Sequence, residues 1–388
     1  MLLYDASHTS HTHAQTGIQR VVRSLFAELA SRRDVGPICF DPHQHAWRTL
    51  RAREHATLRE RTGAAANSRG AKWTLTEKIA GRARRILGRR NSLPDARGLI
   101  VPELFSAKVG AQLPALLAHV RGPRVAIFHD AIGLKFPELT PPATVARLPG
   151  YLFELAQFDG VAAVSEDSAA SLRDFWRWAG LARTPPVQAI PLGIEAQPRT
   201  DRAAPPSPRV LCVSTIEGRK NHVALLDAAE TLWREGVTFE LELIGLPRAD
   251  TASAALARIA DLQRSGRPLV VHGVVSDEKL HAAYARCTFT VYPSLMEGFG
   301  LPVLESLQHG RPCICSAHGA LGEAARDGGV LALDSVDAGA LVAAMRRLLR
   351  EPALAADLST QARARKFRAW SDYANDLLAW MDALPARG

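Results

Sequence analysis

Residues Val291 to Ser316 read VYPSLMEGFGLPVLESLQHGRPCICS. An apolar run ends near Ser294, Gly298 and Gly300 supply a tight turn, Pro302 fits the first turn of a helix, and Gly310 closes that helix before a second apolar run. The pattern is a strand-to-helix corner at the carboxyl end of a parallel sheet, where open α/β sheets bind ligands. It directs the backbone N–H groups of Phe299, Gly300 and Leu301 toward an anion. Glu297 precedes the helix and Glu305 lies eight residues later inside it. Two carboxylates beside such a corner suit a hydroxyl-rich ligand such as a sugar or a ribose. The plain alternative is a capped loop with one solvated glutamate.

Working outward, the same alternation runs through the chain. MLLYDA, GLIVPE, RVAIFHD and GVAAVS read as strands in the first half, and TGIQRVVRSLFAELASR as an amphipathic helix after the first of them. A proline-dense stretch from about Thr184 to Arg209 reads as a linker. RVLCVST, TFELELIG, LVVHGVV, FTVYPS, PCICS and GVLAL then restart the pattern. The expectation is an α/β protein of two Rossmann-like domains facing a cleft. The first covers 1–190 with a basic insertion at about 45–95, the linker 191–208 and the second domain 209–365. Residues 366–388 read as the final helices.

At 388 residues, 47% hydrophobic and 22% charged, the chain is long enough for two folded cores. No apolar run reaches the ~18 residues of a membrane span, and MLLYDASHTS lacks a signal-peptide pattern, so the expected location is the cytoplasm. Five scattered cysteines argue against a disulfide framework, and Cys313 and Cys315 share one face of a strand. His8, His11 and His13 sit in a Ser/Thr-rich loop with no carboxylate pattern, and no metal site is expected there.

The formal charge of +9 is concentrated. Arg51 to Arg90 hold twelve Lys/Arg and three Asp/Glu, a net of +9. Within this segment KWTLTEKIAGRARRILGRR places Leu75, Ile79, Ala83 and Ile86 on one helical face among arginines, with Thr74 and Glu77 as a capping box. Such a helix suits an anionic membrane surface, with Trp73 at the lipid interface, or covers the first sheet as a solvated insertion. No nucleic-acid motif accompanies the charge.

In STIEGRKNH, after a strand, Arg219 and Lys220 offer a guanidinium and an ammonium for a diphosphate. Gly17 opens the loop after the first strand, and His129 and Asp130 end a strand of the first half.

The form E-G-F-G-L-P-x-L-E preceded by P-S resembles the signature of family 4 of the retaining, nucleotide-sugar-dependent glycosyltransferases with the GT-B fold. TGIQRVVR, FHDAIGLKFPE, DGVAAVSEDSAASL, IPLGIE, VSTIEGRKNH, GVVSDEKLHAAYARC and GALGEAARDGG match in order, over nearly the whole chain apart from about Gln44 to Asp95. The resemblance implies that Glu297 contacts the donor sugar and Glu305 the nucleotide ribose. Phe299, Gly300 and Leu301 hold sugar and diphosphate, Arg219 and Lys220 stabilise the leaving group, Gly17 lets backbone approach a phosphate or the acceptor, and His129 touches the donor sugar. Glu166 is a weaker candidate. The resemblance also implies that the final helices, 366–388, pack back on the first domain. Many relatives carry a further arginine where Ser214 or Thr215 stands. The E-G-R-K-N-H form resembles bacterial mannosyltransferases of polysaccharide or lipopolysaccharide assembly. GDP-mannose is therefore the expected donor, with dTDP-rhamnose or a UDP-sugar as rivals. The acceptor is a saccharide or lipid-linked chain, the location peripheral to the inner membrane face, and no cofactor or metal is implied. A nucleotide-sugar-binding protein without transfer activity, and an enzyme of the same fold catalysing phosphorolysis or epimerisation, are the other readings.

Overall fold

The computed structural model describes residues 1–60, 70–88, 92–197, 207–248 and 250–385. The chain divides into two compact units. The first comprises Met1–Asp130, Ala146–Gly193 and Trp370–Gly388, the second Ala131–Val145 and Ile194–Ala369.

The first unit holds a seven-stranded sheet: β1 (Leu2–Asp5), β2 (Val35–Asp41), β3 (Ala46–Thr49), β4 (Leu99–Val101), β5 (Arg124–Phe128), β6 (Gly160–Ala163) and β7 (Val187–Ala189). Its order is β3-β2-β1-β4-β5-β6-β7, parallel except for the β2–β3 hairpin. The second unit holds β8 (Arg209–Val213), β9 (Glu240–Ile244), β10 (Leu269–His272), β11 (Phe289–Tyr292), β12 (Cys313–Ser316) and β13 (Val330–Leu333), all parallel, in the order β10-β9-β8-β11-β12-β13. Both orders reverse direction once, between β1 and β4 and between β8 and β11. Those switch points are where loops diverge and leave room for a ligand.

Burial on both faces explains the apolar strands. In the second unit Val210, Leu241, Leu243, Phe289, Val291 and Ile314 pack to one side with Leu225, Leu226 and Leu341. Cys313 and Cys315 turn to the other, against Tyr292, Val303 and Leu307. All five cysteines are buried and free.

Several expectations are corrected. β2 escapes the sequence reading because Gly36-Pro37 looks like a turn, and β3 falls at the start of the expected basic insertion; their ladder begins only at Ile38↔Thr49, just past the proline. β7 lies inside the supposed linker, an edge strand beside β6 flanked by prolines. Ala131–Val145 groups with the second unit, so the first is not one uninterrupted run. Residues 198–206 of the expected linker and 61–69 and 89–91 of the basic insertion, with Arg61, Arg69, Arg89 and Arg90, lie outside the described residues.

The final helix, Trp370–Asp382, packs within the first unit. Arg32 donates to Asn375, and the Cβ missing from Gly160 leaves room for Trp380. Among the described residues no helix is long and apolar enough to cross a membrane.

At the end of β9 Gly245 adopts φ +150, and a Cβ there would lie 2.0 Å from the Ser214 carbonyl oxygen. Gly245→Ala is expected to destabilise the protein by about 1–3 kcal/mol. Gly17→Ala meets nothing within 4 Å and is expected to change stability by no more than about 0.5 kcal/mol. Urea unfolding of the two variants checks the contrast; equal effects would contradict it.

Candidate functional site

At the second unit's switch point the loops after β8 and β11 are stitched together. The loop after β8 makes a single 3-10 turn, Gly218–Lys220, and enters helix His222–Arg234 through Asn221. Asn221 sits at φ 56, ψ 37, the left-handed region asparagine tolerates better than most residues. The loop after β11 runs past it, and the Leu295 N–H donates to the Arg219 carbonyl at 2.9 Å.

Between these loops lies Glu297. Its Oε2 accepts from Arg219 at 3.0 Å, its Oε1 from the Lys220 ammonium, and Ser294 adds a side-chain hydrogen bond. Arg219 also donates to the Met296 carbonyl at 3.2 Å. Burial opposes ionisation of Glu297, but the Lys220 and Arg219 cations overturn that effect and hold its carboxyl at about 2. Burial lowers the Lys220 pKa, against the pull of Glu297. The ion pair that results is a carboxylate with two cations.

Glu217 and Arg248 belong to this site and were not singled out from the sequence. Glu217 pairs with Arg219 at 2.8 Å and lies 3.8 Å from Arg248, whose N–H donates to the Ile216 carbonyl. A third guanidinium thus reaches the β8 loop from the segment after β9, held there by both oxygens of Asp250 at 3.1 and 3.0 Å. His222, held near pKa 4 by burial and then by Lys220, lies 3.2 Å from the Ser214 hydroxyl.

The helix carrying the second glutamate runs from Leu301 to Gln308, with Gly300 as its N-cap at φ 102 and Pro302 in the first turn. The Leu301 N–H is an orphan donor of such a start; Pro302 has none, and the Val303 N–H already donates to the Gly300 carbonyl at 3.0 Å. Glu305 is buried one turn in. It accepts from the Tyr284 hydroxyl at 3.3 Å, and the Tyr284 and Tyr292 hydroxyls are 2.9 Å apart. The two glutamates therefore have different surroundings: Glu297 is tied to cations, Glu305 to a tyrosine pair.

In the first unit the loop after β1 is fixed by two buried groups. Glu103, after β4, accepts from the His8 and Thr9 N–H groups, each at 2.7 Å. Arg23, the second arginine of TGIQRVVR, donates to the Thr12, Ala14 and Thr57 carbonyls. Asp5 ends β1 with one oxygen bonded to Ser7 and the other buried without a partner; burial and the nearby Glu103 charge push its carboxyl up to about 7. Gly17 begins helix Gly17–Ala30, and neither its φ nor any neighbour demands glycine. What the glycine leaves is open backbone.

His129 is buried, with Nε2 2.8 Å from the Pro102 carbonyl; burial lowers its pKa, so the ring is neutral and donates through Nε2. The His129 carbonyl accepts from Ser168 at 2.8 Å. Glu166 is the first residue of helix Glu166–Trp178, capped by Ser165. His129 and Gly17 belong to the first unit, while Arg219, Lys220, Glu297, Phe299, Gly300, Leu301 and Glu305 belong to the second.

The three loop histidines do not converge. His13 pairs with Glu60, His8 lies 3.3 Å from Gln19, and His11 sits 3.0 Å from Glu54. His11, Cys39 and Glu54 do approach one another, but Arg48 grips both Glu54 oxygens at 2.6 and 2.7 Å. A guanidinium on the carboxylate takes the place a metal would need.

Residues 194–365 match the family model described as Glycosyl transferases group 1. The chain carries a glycosyl transferases group 1 domain. That match nearly coincides with the second unit and contains the Glu297 cluster. The chain is 25% identical over 344 residues to the serotype-specific mannosyltransferase WbdA of Escherichia coli, covering 81% of this chain and 38% of that protein. The O-antigen chain mannosyltransferase B of E. coli is 34% identical over 142 residues, 36% of either chain. The chain thus spans well under half the length of these curated relatives. Sucrose-phosphate synthase from Thermosynechococcus elongatus has the same fold, with TM-score 0.69 and 20% identity over 98% of this chain and 97% of that one. So does Anabaena HepE in complex with UDP and glucose, with TM-score 0.69 and 13% identity over 99% of each. These neighbours establish the two-domain GT-B architecture around the glycosyl transferase domain.

The depressed Glu297 carboxyl gives a sign for stability. A carboxylate whose folded pKa is about 2 against an ordinary 4.5 stabilises the fold above pH 4.5 and loses that contribution as pH falls toward 2. Glu297→Gln is expected to cost about 3 kcal/mol at pH 7, with the difference from wild type shrinking below pH 4.5 in urea melts. A difference independent of pH would contradict the ion pair.

Proposed function

We propose that this glycosyl transferase is a retaining, metal-independent hexosyltransferase that moves mannose from GDP-mannose to a saccharide or lipid-linked acceptor in bacterial surface polysaccharide or lipopolysaccharide assembly. The observation that carries the reading is the Glu297 carboxylate held between Arg219 and Lys220 at the β8/β11 switch point. The names of the relatives, mannosyltransferases and an O-antigen enzyme among them, support the sugar and the setting.

In this reading the diphosphate of the donor competes with Glu297 for the two cations. As Arg219 and Lys220 turn to the phosphate oxygens, the Glu297 oxygens become acceptors for hydroxyls of the hexose. One group then serves two roles, as counter-ion in the empty site and as sugar ligand in the filled one. The Leu301 N–H, at the start of helix Leu301–Gln308, faces the same anion. Glu305 takes the ribose hydroxyls, oriented by Tyr284, whose own hydroxyl is fixed by Tyr292. In the first unit Gly17 keeps its backbone open for an acceptor, and His129 is a neutral hydrogen-bonding group rather than a proton donor at neutral pH.

Transfer with retention follows a front-face substitution. The acceptor oxygen bonds to the anomeric carbon as the carbon–oxygen bond to the diphosphate breaks, and the acceptor proton passes to the departing diphosphate oxygen. Arg219 and Lys220 stabilise the charge that develops there. Trapping a glycosyl-enzyme adduct would refute this step. The enzyme works in the cytoplasm, at the inner face of the cell membrane where a lipid-linked acceptor resides.

Thermal unfolding in EDTA against GDP-mannose, dTDP-rhamnose, UDP-glucose and the free nucleotides tests the assignment. A ligand at about 100 times its Kd is expected to add about 2.7 kcal/mol of stability. GDP-mannose and GDP should give the shift, and Lys220→Ala and Glu305→Ala should lose it. A shift with only another nucleotide family would overturn the donor.

Tyr284→Phe is expected to weaken nucleotide binding about fivefold, the loss of roughly one hydrogen bond's worth of orientation. The penalty should vanish with a 2′,3′-dideoxy nucleotide, which has no hydroxyls for Glu305. An equal penalty on both nucleotides would remove Glu305 from the ribose.

A further inference from the structure

Helix Leu75–Ile86 is fastened to the first unit along one side and bare along the other. Its start is closed by the expected capping box: Thr74 accepts from the Glu77 N–H, and Glu77 accepts from the Thr74 N–H at 2.7 Å. Its buried residues are Glu77 and Gly81. Gly81 lies so close to the β2–β3 turn that a Cβ would come within 2.8 Å of His43. Trp73, just ahead of the helix, stacks on His11 at 3.8 Å, so it is held by the protein and does not serve as the lipid anchor expected from the sequence.

At 3.6 residues per turn, Leu75, Ile79, Ala83 and Ile86 lie on the side roughly opposite Glu77 and Gly81. The chain leaves that side uncovered: Leu75 is 73% exposed, Ile79 58%, Ile86 84% and the following Leu87 67%. The helix therefore does not roof the sheet with its apolar face. Lys78, Arg82 and Arg85 border the stripe on one flank, while Arg84 lies about 20° around the helix from the buried Glu77. None of these four has a carboxylate partner among the described residues, and Glu77, the one acid of the helix, is turned inward. An apolar stripe edged by uncompensated cations complements a surface with an apolar interior and an anionic rim.

We propose that helix Leu75–Ile86, with Leu87, lies in the plane of an anionic phospholipid bilayer. The aliphatic stripe enters the boundary between headgroups and acyl chains, and Lys78, Arg82 and Arg85 meet lipid phosphates. The proposal deepens the reading of a lipid-linked acceptor, and it concerns binding alone. A second copy of the chain would bring like charges together across the stripe. A nucleic acid offers phosphates but nothing to cover four exposed aliphatic side chains.

Vesicle co-sedimentation without donor or acceptor tests it, using phosphatidylcholine vesicles with and without about one third phosphatidylglycerol, at about 0.1 M salt and at higher salt. The wild type is expected to bind the anionic vesicles and to be released as salt rises. Ile79→Gln with Ile86→Gln, which keeps helix propensity, is expected to lower partitioning by about tenfold or more. Arg82→Glu with Arg85→Glu is expected to remove at least about fivefold per arginine and to abolish the preference for anionic lipid. Both variants should keep the wild-type melting temperature and circular dichroism, because the altered side chains face solvent. Absence of wild-type binding to anionic vesicles, or equal binding by wild type and both variants, would overturn the proposal. So would a change from dimer to monomer on Ile79→Gln with Ile86→Gln, which would make the stripe a self-association surface. None of these failures bears on whether the second unit transfers a sugar, which the nucleotide shifts decide.

Discussion

The second unit depends on one electrostatic tie. Two loops leave neighbouring strands at the point where the sheet reverses its order, and both bring charged side chains into a half-buried space. Glu297 from one loop closes on Arg219 and Lys220 from the other. Burial alone would drive the carboxyl toward its neutral form and Lys220 toward its free amine. The two cations outweigh burial for the Glu297 carboxyl, whereas for Lys220 the pull of Glu297 offsets burial only in part. Glu217 extends the arrangement to Arg248, which Asp250 grips with both oxygens, so the cluster sets three cations against three carboxylates. An anionic ligand entering there meets charges already organised, but has to take them from Glu297.

That competition links the fold to the chemistry proposed. A site of bare cations would bind any polyanion. A carboxylate resident among them demands that the ligand bring both a strong anion for the cations and hydroxyls for the carboxylate it releases. A nucleoside diphosphate hexose has both, whereas inorganic phosphate has only the first. The tyrosine pair beneath Glu305 adds a separate acceptor whose orientation does not depend on the cation cluster. In the first unit Glu103 and Arg23 immobilise the segment ahead of Gly17 through backbone contacts.

Much of this was legible in the sequence because it is local. The glycines and proline of EGFGLPVLE mark the corner after β11, and the alternation of apolar runs gave ten of the thirteen strands found among the described residues. The apolar face and capping box of Leu75–Ile86 follow from helical spacing. What escaped depends on distance along the chain. Gly36-Pro37 hid β2, whose partners β1 and β3 cannot be read from its own residues. Prolines around Val187 hid β7, which exists because β6 offers it a ladder. Arg248 joins the site from after β9, and Asp5 and Glu103 meet only once β1 and β4 are neighbours. Trp73 looked like an interfacial residue until folding placed His11 beneath its ring.

The central claim is that a diphosphate displaces Glu297 from Arg219 and Lys220. Calorimetric titration of the free nucleoside diphosphate into wild type and Glu297→Gln tests it most directly, with GDP as the first ligand and dTDP and UDP beside it. With the competing carboxylate neutralised, the variant should bind the free diphosphate several-fold more tightly than wild type, while its affinity for the corresponding nucleotide sugar should gain less or fall because a sugar ligand is lost. A variant that binds the free diphosphate no better than wild type would mean that Glu297 does not compete for the cations, and the account of the site would fail.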